Sequence, residues 1–361
     1  MKKFLSGILV IIYCFGFAEN ITDGPYIFRE DNTFTVKYIL DGNLISDEIT
    51  LTESLNYTFS PEGLNGTFEI SQESAQVEAW EYSDVSKIFA LSDIHGQFDR
   101  FTQILRNNNV IDEASNWKWG DGHLVITGDV FDRGDKVTES LWLIKKLEEQ
   151  AKANHGKVHY ILGNHEITTF RGETRHVNDK YLKVAEKMGL SLGDLYSENT
   201  FLGRWLRSKN TIVKINGMLF VHGGISPEFI SNGYEISEVN DLIRKVNNQP
   251  SDAILNEPQT EFLLGKKGPF WYRGYFIDKS SYNQIKKTEA FQLLEDLNVK
   301  YIIVGHTTQD FINPFFNNRF VPIDVGIKYG NYGEGLLWKN DLFYRAKADG
   351  YHEQIASSNS R

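Results

Sequence analysis

Asp93 and His95 stand two positions apart at the end of the apolar run Ile88-Phe89-Ala90-Leu91, immediately before Gly96. A buried strand has no structural use for two hydrophilic groups at its tip, so they cap the next helix or hold something. Four more apolar runs end in the same way: Asp129 with Asp132 and Arg133 in "GDVFDRG", Asn164 with His165 and Glu166 in "GNHE", His222 in "HGG" and His306 in "GHT". Glycine in these turns allows tight paths and positive φ, so side chains from separate strands can point to one place. Carboxylate and amide oxygens mixed with imidazoles suit a first-row divalent metal, and two carboxylates, three imidazoles and one amide are enough for two ions bridged by Asp129. Such a pair, roughly 3.5–4 Å apart, holds a hydroxide and clamps the oxygens of an in-line displacement at phosphorus. Taken singly, Asp93 reads as a helix cap and a strand-end histidine as a satisfied core residue; five such ends in one chain favour a shared centre.

The elements that must position these groups alternate from Lys87 onward. Ile88 to Leu91 reads as a strand and residues 97 to 108 as a helix with Phe98, Phe101 and Leu105 on one face. "HLVITGDV" is a second strand, Val137, Leu141, Ile144 and Leu147 recur at helical spacing, and "KVHYILGN" is a third strand. This is α/β layering, with active groups at the carboxyl ends of strands. Residues 172–210 are charged and helical and read as a cap over one edge. "TIVKINGMLFVHGG" is a hairpin turning at Asn216-Gly217, "KYIIVGHTT" is another buried strand, and "RFVPIDVG", "GLLWK" and "LFYRA" are closing strands. Residues 19–84 alternate apolar and polar positions around the hairpin signal Asp41-Gly42 and form a small β extension. The main domain runs over 85–350, and 351–361 is a tail.

Lys2 and Lys3, an apolar run from Ile8 to Phe17 and then Ala18 describe a secretory signal peptide over residues 1–18, which places the mature chain in the periplasm or outside the cell. A lipoprotein site at Cys14 is disfavoured by Tyr13, a poor small residue for cleavage. Cleavage after Ala18 removes the single cysteine, so disulfides play no part in the fold. It also leaves 36 basic against 48 acidic residues, a formal charge of -12, which argues against a nucleic-acid partner. After residue 18 no stretch is long and apolar enough for stable membrane insertion.

"SDIHG", "GDVFDRG", "GNHE", "HGGISP" and "GHT", in this order, resemble the calcineurin-like metallophosphoesterases, and Asp132-Arg133 and Glu166 resemble their phosphoprotein phosphatase branch. With "GRWLRSKN" and "WYRGYF" the chain is most similar to the bacterial Shewanella-like protein phosphatases, over about residues 87 to 345, with the first eighty outside the resemblance. The resemblance implies a layered α/β fold, a β-sandwich flanked by helices. It implies one metal on Asp93, His95 and Asp129 and another on Asp129, Asn164, His222 and His306. Manganese, iron and zinc all accept these ligands. Arg133 and Arg273, with Asn164, would bind the phosphoryl group, and His165, oriented by Asp132, would protonate the leaving oxygen. Guanidinium forks match phosphate geometry, and an imidazole titrates near neutral pH.

Two departures stand out. Thr308 occupies the position where relatives outside this branch carry a second histidine, and "PIDVG" stands where the eukaryotic branch has "SAPNY". Ser92 replaces the usual glycine before the first acid. The expected activity is hydrolysis of phosphoprotein or a small phosphomonoester, with a phosphotyrosine preference suggested by the bacterial family. The alternatives are a nucleotide or dinucleotide polyphosphate hydrolase and a phosphate-binding module without turnover; the presence of both His165 and Asp132 speaks against the latter. His123, His155, His159, His176 and His352 read as surface or turn residues. Trp271, Tyr272, Tyr275 and Phe276 read as packing, with Tyr272 and Tyr275 able to flank an aryl group.

Overall fold

The structure is a computed structural model in which residues 21–30, 33–50, 76–248, 252–276, 282 and 284–355 are described. The expected signal peptide and residues 51–75 of the expected β extension lie outside these. The chain opens with an antiparallel sheet of β1 (Asp23–Glu30), β2 (Thr33–Leu40) and β3 (Asn43–Thr50). Asp41 and Gly42 both have positive φ, as a two-residue hairpin turn requires. After β4 (Glu81–Tyr82) and β5 (Lys87–Leu91) come α1 (Phe98–Asn107), β6 (His123–Ile126), α2 (Val137–Ala153), β7 (Lys157–Tyr160) and a short α3 (Asn164–Phe170). The charged segment forms α4 (Asp179–Met188), α5 (Leu192–Leu195) and α6 (Phe201–Arg207).

The hairpin at Asn216-Gly217 joins β8 (Ile212–Ile215) to β9 (Met218–Val221). Helices α7 (Pro227–Ser231), α8 (Ile236–Asn248), α9 (Asp252–Leu255), α10 (Pro258–Leu263) and α11 (Lys287–Asp296) precede β10 (Tyr301–Val304) and β11 (Phe320–Pro322). The chain closes with β12 (Glu334–Lys339), β13 (Leu342–Lys347) and β14 (His352–Gln354), which extends the sheet into the segment read as a tail.

Two mixed sheets, ordered β14-β13-β12-β5-β6-β7 and β11-β10-β9-β8-β4, face each other. The central strands β5, β6, β9 and β10 are covered on both faces, and residue parity decides which core each side chain enters. Ile88, Ala90, Val125, Met218, Phe220 and Ile303 meet between the sheets, whereas Phe89, Leu91, Leu124, Ile126, Leu219 and Ile302 join the core under the helices. Helix α2 buries Val137, Leu141, Ile144 and Leu147, and α1 buries Phe98, Phe101 and Leu105, at the spacings expected. Strands β5, β6 and β7 run parallel, and β9 and β10 run parallel in the second sheet, so their carboxyl ends open on one side.

The N-terminal sheet is tied to the helices of the main domain. Thr138 Oγ1 of α2 donates to Asp23 Oδ2 at 3.2 Å, Trp142 Nε1 donates to the Pro25 carbonyl at 3.1 Å, and Arg29 N donates to the Asn199 carbonyl at 2.8 Å. Lys180 of α4 forms an ion pair with the buried Asp23 at 2.8 Å.

Candidate active site

The loops that leave the parallel strands converge. Asp93 and His95 follow β5, Asp129, Asp132 and Arg133 follow β6, and Asn164 and His165 open α3 after β7. His222 follows β9 and His306 follows β10. The Asp129 carboxylate is the meeting point: its Oδ2 lies 3.7 Å from His95 Nε2, 3.7 Å from His165 Nε2 and 3.2 Å from His222 Nε2, while its Oδ1 accepts the His165 backbone N–H at 3.0 Å. Asn164 Oδ1 lies 2.9 Å from His222 Nε2, and His306 Nδ1 lies 3.2 Å from the same nitrogen. Asp93 sits beside the group, its Oδ1 3.8 Å from His95 Nε2 and its Oδ2 accepting the His306 N–H at 2.9 Å. The ligand atoms of His95, Asp129 and His165 lie within 4.8 Å of one another, as do those of Asp129, His222 and His306.

The backbone reaches this arrangement by an unexpected route. Asp93, His95, Asp129, Asp132, Arg133 and His306 themselves have positive φ, between 48° and 70°. Non-glycine residues adopt that region at a cost and gather where the surroundings over-determine the loop. At Gly163 and Gly305 the flanking glycines act through close approach instead. A Cβ on Gly163 would lie 2.2 Å from Asp129 Oδ1, and one on Gly305 would lie 2.0 Å from Ser92 Oγ.

The donor set fits divalent cations. His95 Nδ1 is bonded to the Phe131 carbonyl at 2.6 Å and His222 Nδ1 to the Thr127 carbonyl at 2.7 Å, which fixes each ring with Nε2 toward Asp129. Burial holds the His95 and His306 imidazoles well below their usual range, so they are neutral, with lone pairs to offer. His306 Nε2 is buried without a hydrogen-bond partner. Burial, with Asp324 and Asp129 nearby, pushes the Asp93 carboxyl up to about 7. Despite burial, His222 and His165 hold the Asp129 carboxyl well below the usual range, and Asp129 in turn lifts His222 to about 9 against its own burial. Buried carboxylates, imidazoles and an amide oxygen converging in this way are a donor set suited to divalent cations.

Asp93, His95, Asp129, Asn164, His165 and His306 line a cavity of about 220 Å³, with Asp132, Arg133 and Arg273 in its wall and His222 buried behind it. Asp132 Oδ2 is bonded to His165 Nδ1, so His165 Nε2 faces the cluster. Burial opposes the His165 charge, but Asp129 and Asp132 raise the imidazole above its usual range. Arg273 Nη1 donates to the His306 carbonyl at 2.9 Å and to Thr307 Oγ1 at 3.2 Å. The segment around Arg273 is a turn.

Several contributors were not legible as site residues. Glu166 is buried and accepts from Asp129 N, Val130 N, Gly163 N and Tyr160 Oη at 2.6–2.9 Å, joining the "GNHE" and "GDVFDRG" turns. Ser92 Oγ donates to Asp93 Oδ2 at 2.6 Å. His176 is exposed as expected, yet its ring lies 5.5 Å from that of His165 and its carbonyl accepts the Arg133 N–H. The charged loop before α4 was its only sequence signal. His123 and His159, expected at the surface, are both buried and bonded to each other at 2.9 Å. Tyr272 and Tyr275 are buried in packing roles, with Tyr275 Oη bonded to Ile225, so neither can flank a substrate ring, whereas Trp271 lines the cavity edge-on to His306.

Residues 86–310 match the family described as calcineurin-like phosphoesterase. The chain belongs to that family. The phosphoesterase is 30% identical over 256 residues, 69% of each chain, to Shewanella-like protein phosphatase 1 of Plasmodium berghei (strain Anka). It is 26% identical over 333 residues, 78% of this chain and 82% of the relative, to Shewanella-like protein phosphatase 2 of Arabidopsis thaliana. Against the crystal structure of the cold-active protein-tyrosine phosphatase of a psychrophile Shewanella sp. the TM-score is 0.86 at 36% identity, covering 93% of this chain and 99% of that one.

Proposed function

We infer that the phosphoesterase is a metal-dependent phosphoprotein phosphatase that cleaves phosphomonoesters, phosphotyrosine foremost. The observation that carries the reading is the convergence of three imidazole nitrogens on Asp129 Oδ2 beside a cavity walled by two arginines. Asp93, His95 and Asp129 would hold one divalent ion, and Asp129, Asn164, His222 and His306 a second. When bound, two such ions neutralise phosphoryl charge and acidify water. Arg133 and Arg273 bind the phosphoryl oxygens; the bonds from Arg273 Nη1 to His306 and Thr307 fix its guanidinium while its other N–H groups stay available. Asp132 accepts a hydrogen bond from His165 Nδ1 and so directs Nε2 to the leaving oxygen, and the charges of Asp129 and Asp132 raise the imidazole above its usual range, which favours its acid form.

The tyrosine preference rests on the 36%-identical tyrosine phosphatase of Shewanella and on Trp271 in the cavity wall, an aromatic neighbour that suits an aryl leaving group. The test is an assay of metal-stripped protein reloaded with manganese, iron or zinc against phosphotyrosine peptide, phosphoserine peptide and a dinucleotide polyphosphate. The highest kcat/KM is expected on phosphotyrosine; a preference for the dinucleotide would overturn the reading. The signal-like residues 1–18 support action outside the cytoplasm. A native N-terminus at Met1 in cytosolic protein would refute that assignment.

A further inference from the structure

Besides Arg133, Arg273 and Arg175 of the exposed loop before α4, the cavity wall contains a buried cation that the motifs do not account for. Lys328 lies in the 3-10 turn Ile327–Tyr329, between β11 and β12, and lines the cavity together with Asp93, Arg133 and Arg273. Its side chain is only 10% exposed. Its Nζ donates to Thr308 Oγ1 and to Oδ2 of the fully buried Asp324, at 3.2 Å for the latter, and Thr308 Oγ1 donates to the same Asp324 oxygen at 2.7 Å. Gln97 Nε2 bonds the Lys328 carbonyl at 3.2 Å and pins the turn from the other side. An ammonium has three donors, and these contacts use two of them.

The anchoring of Lys328 parallels that of Arg273. Thr307 Oγ1 accepts from Arg273 and Thr308 Oγ1 accepts from Lys328, so consecutive residues of the "GHTT" loop hold two cations that line the cavity. Serving as a counter-ion for Asp324 would explain a lysine near that carboxylate. It does not explain why the ammonium is also tied to Thr308 and turned into the wall of the phosphate cavity. A long flexible side chain held at two points in an anion-binding cavity is pre-organised for an anion.

We propose that Lys328 is a third phosphoryl-binding cation of this site, with Thr308 and Asp324 as positioning residues that fix its ammonium. The assignment rests on the phosphatase reading and adds to it: the "PIDVG…K" segment supplies a substrate contact from the place where no family motif could be carried over. The ligand class is a tetrahedral oxyanion, the phosphoryl group of the substrate or free inorganic phosphate.

Calorimetric binding of inorganic phosphate to the metal-loaded full chain tests it, with metal content measured in every variant. Lys328→Met is expected to weaken phosphate binding roughly 10-fold or more and to raise KM on phosphopeptides, with the full metal complement retained. Thr308→Val is expected to weaken binding less, to add little in the Lys328→Met background, and to be rescued by Thr308→Ser, a pattern that a structural role for Thr308 does not give. Because Lys328→Met leaves Asp324 buried and unpaired, Lys328→Met/Asp324→Asn, which removes both charges, is measured alongside. Unchanged phosphate affinity in the folded variants would reduce Lys328 to a counter-ion, and loss of metal would place its effect on Asp93; each overturns the proposal. Failure of the metal-loaded wild type to bind phosphate would instead sink the phosphatase reading, and the proposal with it.

Discussion

At His165 the structure separates two roles that the motif alone leaves merged. Its Nε2 is close enough to Asp129 to belong to the ligand cluster, but its Nδ1 is bonded to Asp132, the arrangement that holds an imidazole as an oriented acid. A general acid matters in proportion to the basicity of the leaving oxygen. His165→Asn is therefore expected to lose about 10²-fold or more in kcat on a phosphoserine peptide and markedly less on an activated aryl phosphate. Asp132→Asn is expected to show the same pattern more weakly. The measurement is kcat across phosphoesters of graded leaving-group pKa with metal content confirmed. Equal losses on all of them, or loss of metal, would assign His165 to the ligands. Asp129→Ala tests the centre itself: since its one carboxylate reaches three imidazoles, the variant is expected to lose nearly all bound metal by elemental analysis.

Between elements, Glu166 is the tie that the "GNHE" motif conceals. Its two oxygens satisfy three buried backbone N–H groups on the β6 and β7 exit loops. Glu166→Ala strands those donors and is expected to cost about 3–5 kcal/mol, read as a fall in urea midpoint with loosened metal binding. The His123–His159 pair ties β6 to β7 farther from the site. Burial, with Lys157 nearby, pushes His123 down to about 4, and burial holds His159 well below its usual range. Unfolded, each binds a proton near pH 6.5. Between pH 4 and 6.5 the unfolded chain thus binds more protons, so stability rises with pH across that window and is lost as pH falls through it. For His123 the full effect is about 3 kcal/mol. His123→Leu/His159→Leu should flatten this part of the profile relative to wild type, measured as Tm at pH 7 and pH 5. An unchanged difference would show that the pair does not titrate in this window.

Over the whole molecule, a charge cluster joins the N-terminal sheet to α2 and α4, beside the hydrogen bonds from Trp142 and Arg29. Lys180 of α4 pairs with Asp23 of β1 at 2.8 Å and with Glu139 of α2 at 3.4 Å, and α4 follows directly on the loop that carries His176 to His165. Lys180→Met leaves the buried Asp23 and the half-buried Glu139 without their cation and is expected to cost about 3 kcal/mol. Amide exchange should quicken in β1–β3 and α4 while β5 and β6 keep their protection; uniform quickening would mean that the sheet is not a separate unit of stability. What the sequence determined alone is what short-range chemistry encodes. Apolar runs of strand length ending in glycine and ligand residues locate β5, β6, β7, β9 and β10, and the residue types Asp93, His95, Asp129, Asn164, His222 and His306 name a metal-ligand set. Only the tertiary structure decided which distant residues those strand ends would meet. Thr308 with Lys328, Glu166 with Val130, His176 with His165 and His123 with His159 are pairings between different elements or loops that no local sequence pattern links. Their partners are set by the strand order of the two sheets and by which face each residue's parity presents, and a lysine or histidine looks the same in the sequence whether it meets solvent or a buried carboxylate.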